Sequence, residues 1–222
     1  MGRWLVSATI CAVLLSSGCV GRTAIPFSKG KRPIPKIMPR SAWTNSMPSG
    51  SYQNQQPAYI TLMDTPSGYD PGNPGAYLNQ LIKDYIDGKG VGDVPIHYII
   101  DQEGHILAGR PTNTVGQLSY GDRFFRSEVP ENHPMYGKPI NAQGHILVLV
   151  LGDYETDPMP KKQEEAMVEL IRYLINEHRL SVLDVLGLRS YLRDCANPGT
   201  YLNDHLASAM LHLAQAGSKA KR

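Results

Sequence analysis

The chain has 222 residues, three of them cysteine, and sets 22 Lys and Arg against 20 Asp and Glu. That length holds one domain of ordinary size with a leader and a linker, and the near balance of charge excludes the strongly basic surface of a nucleic-acid-binding protein. The cysteines exclude a disulfide framework: Cys11 falls in the leader, Cys19 at its end, and Cys195 has no intrachain partner left.

Residues 1–18 carry one charge, Arg3, then an apolar run from Trp4 to Leu15 and Ser16-Ser17-Gly18 ahead of Cys19. The run is too short to cross a bilayer, and small residues before a cleavage point mark a secretory leader. Its Leu-Ser-Ser-Gly-Cys ending resembles a bacterial lipoprotein signal. That implies a lipid on Cys19, which becomes the new N-terminus, and a protein anchored in the cell envelope on the periplasmic face; Val20, in place of aspartate, favours the outer membrane. An ordinary signal peptide followed by a soluble protein is the alternative, since leaders of both kinds share the apolar core. Residues 19–39 interleave Arg22, Lys29, Lys31, Arg32 and Lys36 with Pro26, Pro33, Pro35 and Pro39, the composition of an extended, solvated tether. Its charge also suits contact with anionic headgroups.

The folded part is expected at residues 40–214, opening on Arg40-Ser41-Ala42-Trp43. Ala58 to Met63 is a β-prone apolar run that ends in Asp64-Thr65-Pro66-Ser67-Gly68, a strand passing into a loop. Asn73-Pro74 supplies a cap and a first-turn proline, and Leu78, Leu81, Ile82 and Tyr85 recur at helical spacing before Gly88 and Gly90. Tyr98–Asp101 and His105–Ala108, joined by Gln102-Glu103-Gly104, predict a hairpin that ends at Gly109-Arg110.

After Val115-Gly116-Gln117-Leu118, residues 119–144 form a long connection rich in Gly, Pro, charge and aromatic rings (Tyr120, Phe124, Phe125, Tyr136). A loop of that length is a candidate for contacting a ligand or partner, with a surface-packed insertion as the alternative. His145 to Leu151 predicts a central strand buried on both faces. From Met159-Pro160 and Gln163 onward, Ala166, Met167, Leu170, Ile171, Leu174 and Ile175 stripe a long helix. Val182 to Leu188 predicts a last strand. A terminal helix follows with Leu202, Leu206, Met210 and Leu213 inward, and residues 215–222 form a basic tail. The fold class is therefore α/β: a single domain with a central mixed β-sheet flanked by helices.

The stretch from Asp93 to Arg110, Asp-Val-Pro-Ile-His-Tyr-Ile-Ile-Asp-Gln-Glu-Gly-His-Ile-Leu-Ala-Gly-Arg, resembles the central strand pair of zinc-dependent N-acetylmuramoyl-L-alanine amidases and the related peptidoglycan-recognition domains. Arg40 and Trp43, Gly152-Asp153-Tyr154, and Pro160, Gln163 and Ala166 fall into the family's order, so the resemblance covers residues 39 to 213 collinearly. It implies a zinc ion held by two histidines and a cysteine or aspartate, with an open position for the water that attacks the lactyl amide.

Against that pattern Cys195 keeps its place. The first histidine is Met63, with Asp64 at the next position. The window for the second reads Gly187-Leu188-Arg189-Ser190, the tyrosine beside the water is Ile96, the glutamate falls near Leu149, and the histidine of V-G-x-H is Leu118. Arg193 alone matches a basic residue that some amidases place before the cysteine. The resemblance thus implies a vacated metal site at Met63, Ile96, Leu149, Leu188 and Cys195, with no catalytic residue, no metal and no other cofactor. Apolar filling is coherent there, because burying an imidazole without its ion costs on the order of 1 to 3 kcal/mol. Copper(I) between Met63 and Cys195 is the alternative for a metal. His97 reads as a hydrogen-bonded structural histidine, and His205 and His212, seven apart, do not share one ion.

Some peptidoglycan-recognition domains lack the metal and act by binding. The expectation is a protein that binds peptidoglycan or muropeptide, or an envelope protein, through a groove containing Asp64, Thr65, Arg110, Tyr120, Arg193 and Asn197. Arg110 carries a second reading, in which it positions the hairpin. Two rival functions stay open: an amidase with a rearranged metal site, and an inhibitor or adaptor of another envelope enzyme that docks through the 119–144 connection.

Overall fold

A computed structural model describes residues 34–46, 48, 52–65, 69–88, 91–122, 129–192 and 195–219. In chain order the elements are β1 (Ile37–Met38), β2 (Tyr59–Asp64), α1 (Pro74–Lys83), β3 (Tyr98–Ile100), β4 (Ile106–Ala108), β5 (Leu118–Ser119), β6 (Pro139–Ile140), β7 (His145–Val150), α2 (Lys161–His178), β8 (Val185–Gly187), α3 (Leu188–Tyr191) and α4 (Thr200–Lys219).

Six strands form one mixed sheet in the order β1-β4-β3-β7-β2-β8, and β5 and β6 form a separate two-stranded sheet. β7 lies between β3 and β2 and is parallel to both, which explains why all six of its residues are buried. Its period of two divides the interior. Ile146, Val148 and Val150 join Ile60 and Leu62 of β2 in a core with Met167, Leu170, Ile171 and Leu174 of α2 and Leu202, Leu206 and Leu213 of α4. Leu147, Leu149 and the following Leu151 point the other way, into a second core with Met63 and with Leu78 and Leu81 of α1.

Local chemistry sets the element ends. The Asn73 side chain accepts a hydrogen bond from Ala76 N at 3.1 Å, and Pro74 occupies the first helical position of α1. β3 and β4 pair antiparallel with Ile99 opposite Leu107, across a turn in which Gly104 adopts φ +84° and donates to Asp101 O at 3.0 Å. A side chain at Gly104 would also strike Lys162 O, 2.7 Å away, so this turn seats directly on the start of α2. Gln163, fully buried, donates to Ile100 O at 3.0 Å and Leu151 O at 2.9 Å and accepts from the Tyr154 hydroxyl, fastening α2 to the ends of β3 and β7.

Three expectations are revised. The last residues of the expected tether include β1, which pairs parallel with β4 at Ile37–Ile106 and Met38–Leu107. Val182 to Leu188 is not one strand: Val182–Asp184 is a 3-10 turn, because Ser181 Oγ accepts from Leu183 N at 3.2 Å and the Asp184 carboxylate accepts from Ser181 N at 2.8 Å. The strand is confined to Val185–Gly187, and Leu188 opens α3. The α4 backbone stays helical to Lys219, beyond the expected start of the tail. The leader, Cys19 and the tether up to Pro33 lie outside the described residues. Among those described, no helix is long and apolar enough to cross a membrane.

Candidate functional site

The alternation of β2 and β7 aims Met63 and Leu149 to the α1 side of the sheet, where they are neighbours in strand register. Ile99 of β3 flanks Leu149 from the other side. Ile96, just before β3, Leu188 at the start of α3, and Cys195 enter the same apolar cluster. All five residues that the sequence resemblance points to thus lie in one apolar cluster, with exposures of 1% for Met63, Leu149 and Leu188, 2% for Ile96 and 6% for Cys195. Leu118 and Ile140 of the small sheet and Leu192 belong to the cluster too. The Cys195 thiol lies 3.8 Å from Asn197 O, to which it donates.

This donor set does not fit zinc. Three side chains are hydrocarbon, one is a thioether and one a thiol, and no group of three His, Cys, Asp or Glu able to hold an ion exists among the described residues.

Next to this cluster, Asp64, Thr65 and Asn197 are fully buried, so in this conformation their polar groups serve the fold and not a groove. Asn197 Oδ1 accepts from Asp64 N at 3.1 Å, and Nδ2 donates to both Asp64 O and Oδ1 at 2.7 Å. Asp64 Oδ2 accepts from Tyr154 N at 3.1 Å and Gly199 N at 2.9 Å. A side chain at position 199 would lie 2.3 Å from Glu155 N, so glycine is what allows that approach. Thr65 exchanges bonds with Gly152, donating from N at 3.1 Å and accepting on Oγ1 at 3.0 Å.

Arg110 is 2% exposed. Its Nη1 donates to Val115 O, its Nη2 to Gln117 Oε1 at 3.2 Å, and its guanidinium carbon sits 4.9 Å from the Tyr52 ring centre. Nε faces Asp93 Oδ2 at 3.7 Å, while Arg40 Nη1 is bonded to Asp93 Oδ1. These contacts tie the residue that follows the hairpin to Tyr52, Asp93 and the Val115–Gln117 segment. Burial draws the Arg110 pKa down against the opposing pull of Asp93, and burial with Asp93 pushes the Tyr52 phenol up. A pocket of about 410 Å³ opens here, lined by Tyr52, Val91, Arg110, Gln117, Ser119 and Asn141 among others.

Tyr120 is half-buried against the apolar cluster, and its backbone pairs with Lys138 O at 3.0 Å and Gly137 N at 2.8 Å. Part of the long connection therefore packs back onto the domain. Residues 123–128 and Arg193 lie outside the described residues.

His97 is 1% exposed and does not reach the cluster as a donor. Its Nδ1 accepts from Leu147 N at 2.8 Å, which leaves the proton on Nε2, donating to Thr114 O at 2.8 Å. Burial holds its pKa down at about 4, so the ring is neutral, as a structural histidine should be.

Sequence reasoning did not assemble Arg40, Asp93, Tyr52 and Gln117 around Arg110. Arg40 and Asp93 each stand inside a quoted motif, but 53 positions separate them and no local spacing joins them.

Neither a protein-family model nor a curated protein sequence matches the chain. Solved structures do. Peptidoglycan recognition protein SD of Drosophila superposes with a TM-score of 0.58 at 20% identity, over 76% of this chain and 90% of that one. The N-acetylmuramoyl-L-alanine amidase LysC of Clostridium intestinale gives 0.57 at 21% identity, over 81% and 98%. The ectodomain complex of peptidoglycan recognition proteins LCa and LCx, solved with tracheal cytotoxin bound, gives 0.56 at 16% identity, over 76% and 92%. At these identities the likeness is one of architecture: the mixed six-stranded sheet with helices on its faces is the fold of peptidoglycan-recognition domains and N-acetylmuramoyl-L-alanine amidases.

Proposed function

We propose that this chain is a cell-envelope protein, anchored through a lipid on Cys19 at the periplasmic face of the outer membrane, whose domain binds peptidoglycan or its muropeptides and does not cleave them. The observation behind the absence of cleavage is the chemistry of one place. A hydrolytic zinc needs three donors and a water, and the cluster of Met63, Ile96, Leu149, Leu188 and Cys195 offers a single thiol amid hydrocarbon and thioether. Binding is supported by the fold shared with the recognition proteins solved with tracheal cytotoxin. Because Asp64, Thr65 and Asn197 are sealed inside, the contacts in this reading fall to Tyr120, Arg193 and the 119–144 connection.

Two measurements test it. Elemental mass spectrometry of the purified full-length protein after incubation with excess zinc should find below about a tenth of an equivalent; a full equivalent ends the non-hydrolytic reading. Pull-down with purified sacculi should retain the protein, and failure to retain it removes peptidoglycan as the partner.

A further inference from the structure

We infer that the turn after β1, together with Asn79 of α1, forms a ligand site separate from the cluster at Met63 and from the 410 Å³ pocket, and that its ligand is a neutral saccharide. The inference is independent of the peptidoglycan reading and needs only an uncharged, polyhydroxylated ring.

The cavity measures about 530 Å³, within the range of small-molecule sites. Its lining holds one aromatic ring, Trp43, and five uncharged side chains able to hydrogen-bond, Ser41, Thr44, Asn45, Ser46 and Asn79, with no charge among them. Arg40, the one charged residue of the turn, is drawn inward: Nε donates to Ser46 O at 3.1 Å and Nη1 is bonded to the buried Asp93. Trp43 is fixed as well. Its Nε1 donates to Ala108 O at 2.8 Å and it packs partly against the second core, so what it offers a ligand is ring surface and not an N–H. Thr44 Oγ1 accepts from Ser46 N at 3.1 Å and curves the turn, while Asn79 comes from the exposed side of α1.

This lining selects by exclusion. A charged ligand would lose water and meet no opposite charge, and an apolar one would cover five polar side chains without satisfying them; both cost free energy. A sugar ring suits each part. Its hydroxyls exchange bonds with hydroxyls and amides, all of which donate and accept, and its C–H face lies on the indole. The amides of Asn45 and Asn79 also match the donor and acceptor of an acetamido group.

The full-length chain carrying Trp4→Phe tests this, because Trp43 is then its single tryptophan. In equilibrium dialysis at millimolar concentration, maltotriose or chitotriose should bind, and the bound sugar should change Trp43 fluorescence. Tighter binding of chitotriose assigns the site to N-acetylated sugars, and any other order assigns it to unmodified ones. Sodium gluconate and cyclohexanol, a charged and an apolar analogue, should not bind. Asn45→Ala with Asn79→Ala, both at exposed positions, should leave the Tm unchanged and weaken sugar binding by about tenfold. The inference is overturned if neither sugar binds, if gluconate or cyclohexanol binds as well as the sugars do, if binding leaves Trp43 fluorescence unchanged, or if the double variant binds as tightly as its parent.

Discussion

Asn197 holds Asp64 much as a neighbouring strand would: its side-chain amide accepts from Asp64 N at 3.1 Å and donates to Asp64 O at 2.7 Å, and it reaches the carboxylate as well. The last residue of β2 is thereby tied to the segment that leads into α4, 133 positions away.

Removing this grip takes three hydrogen bonds from the buried Asp64. Asn197→Ala should cost about 2 to 4 kcal/mol, three hydrogen bonds at roughly 0.5 to 1.5 kcal/mol each. Asn197→Asp should cost more, since it sets a second carboxylate against that of Asp64. Urea unfolding of both variants checks the order; an Asn197→Asp protein as stable as wild type would contradict it.

His97 makes stability depend on pH in a stated direction. Its pKa is about 4 when folded against 6.5 when free, so between those values the unfolded chain takes up a proton that the folded chain refuses. Stability is full above pH 6.5 and falls toward pH 4, by up to about 1.4 kcal/mol per pH unit and about 3 kcal/mol in all from this group. His97→Asn keeps an acceptor near Leu147 N but cannot ionise. Its unfolding midpoints over pH 4 to 7 should decline less steeply than those of wild type, and parallel curves would refute the assignment.

Gln163 is a third point of leverage. Gln163→Leu retains volume but removes three hydrogen bonds, those of its amide to Ile100 O and Leu151 O and that of the Tyr154 hydroxyl to its carbonyl, while Leu151 N and the Tyr154 hydroxyl go on serving the two carbonyls. A loss of about 2 to 3 kcal/mol is expected in chemical denaturation, with Tyr154→Phe costing less because Gln163 keeps both carbonyls.

The proposal of a vacated metal site can be tested by building ligands into it. Met63→His with Leu188→His adds two imidazoles to the pocket of Cys195, all within one cluster. Without zinc the double variant should melt well below wild type, because neither imidazole has a partner there. With zinc it should recover, whereas wild type should not respond. Melting curves that ignore zinc in both proteins would mean that these positions do not converge as the family pattern implies.

Much of the fold was legible because it rests on short-range signals. The Asn73-Pro74 start, the Gly104 turn, the apolar Ile146 to Leu151 run and the α2 stripe each state their own structure, and each element lies where its residues indicate. The Val182 to Leu188 stretch misled, because two polar side chains, Ser181 and Asp184, convert an apolar run into a turn. In the candidate site the apolar members could be gathered from the order of the family pattern, and they share one buried cluster. Polarity misled where burial decided the role: Asp64, Thr65 and Asn197 read as groove residues, but the side-chain bonds described for them each close over more than 80 positions, which no local pattern encodes.

The alternation along β7 has a consequence for how such a chain can change. Its two cores share strands but no side chains, so the sheet works as a partition between independent compartments. Residues on the α1 side can be exchanged, donors for hydrocarbon, while α2 and α4 go on holding the opposite face together. A fold built this way can abandon one chemistry and stay intact long enough to acquire another use.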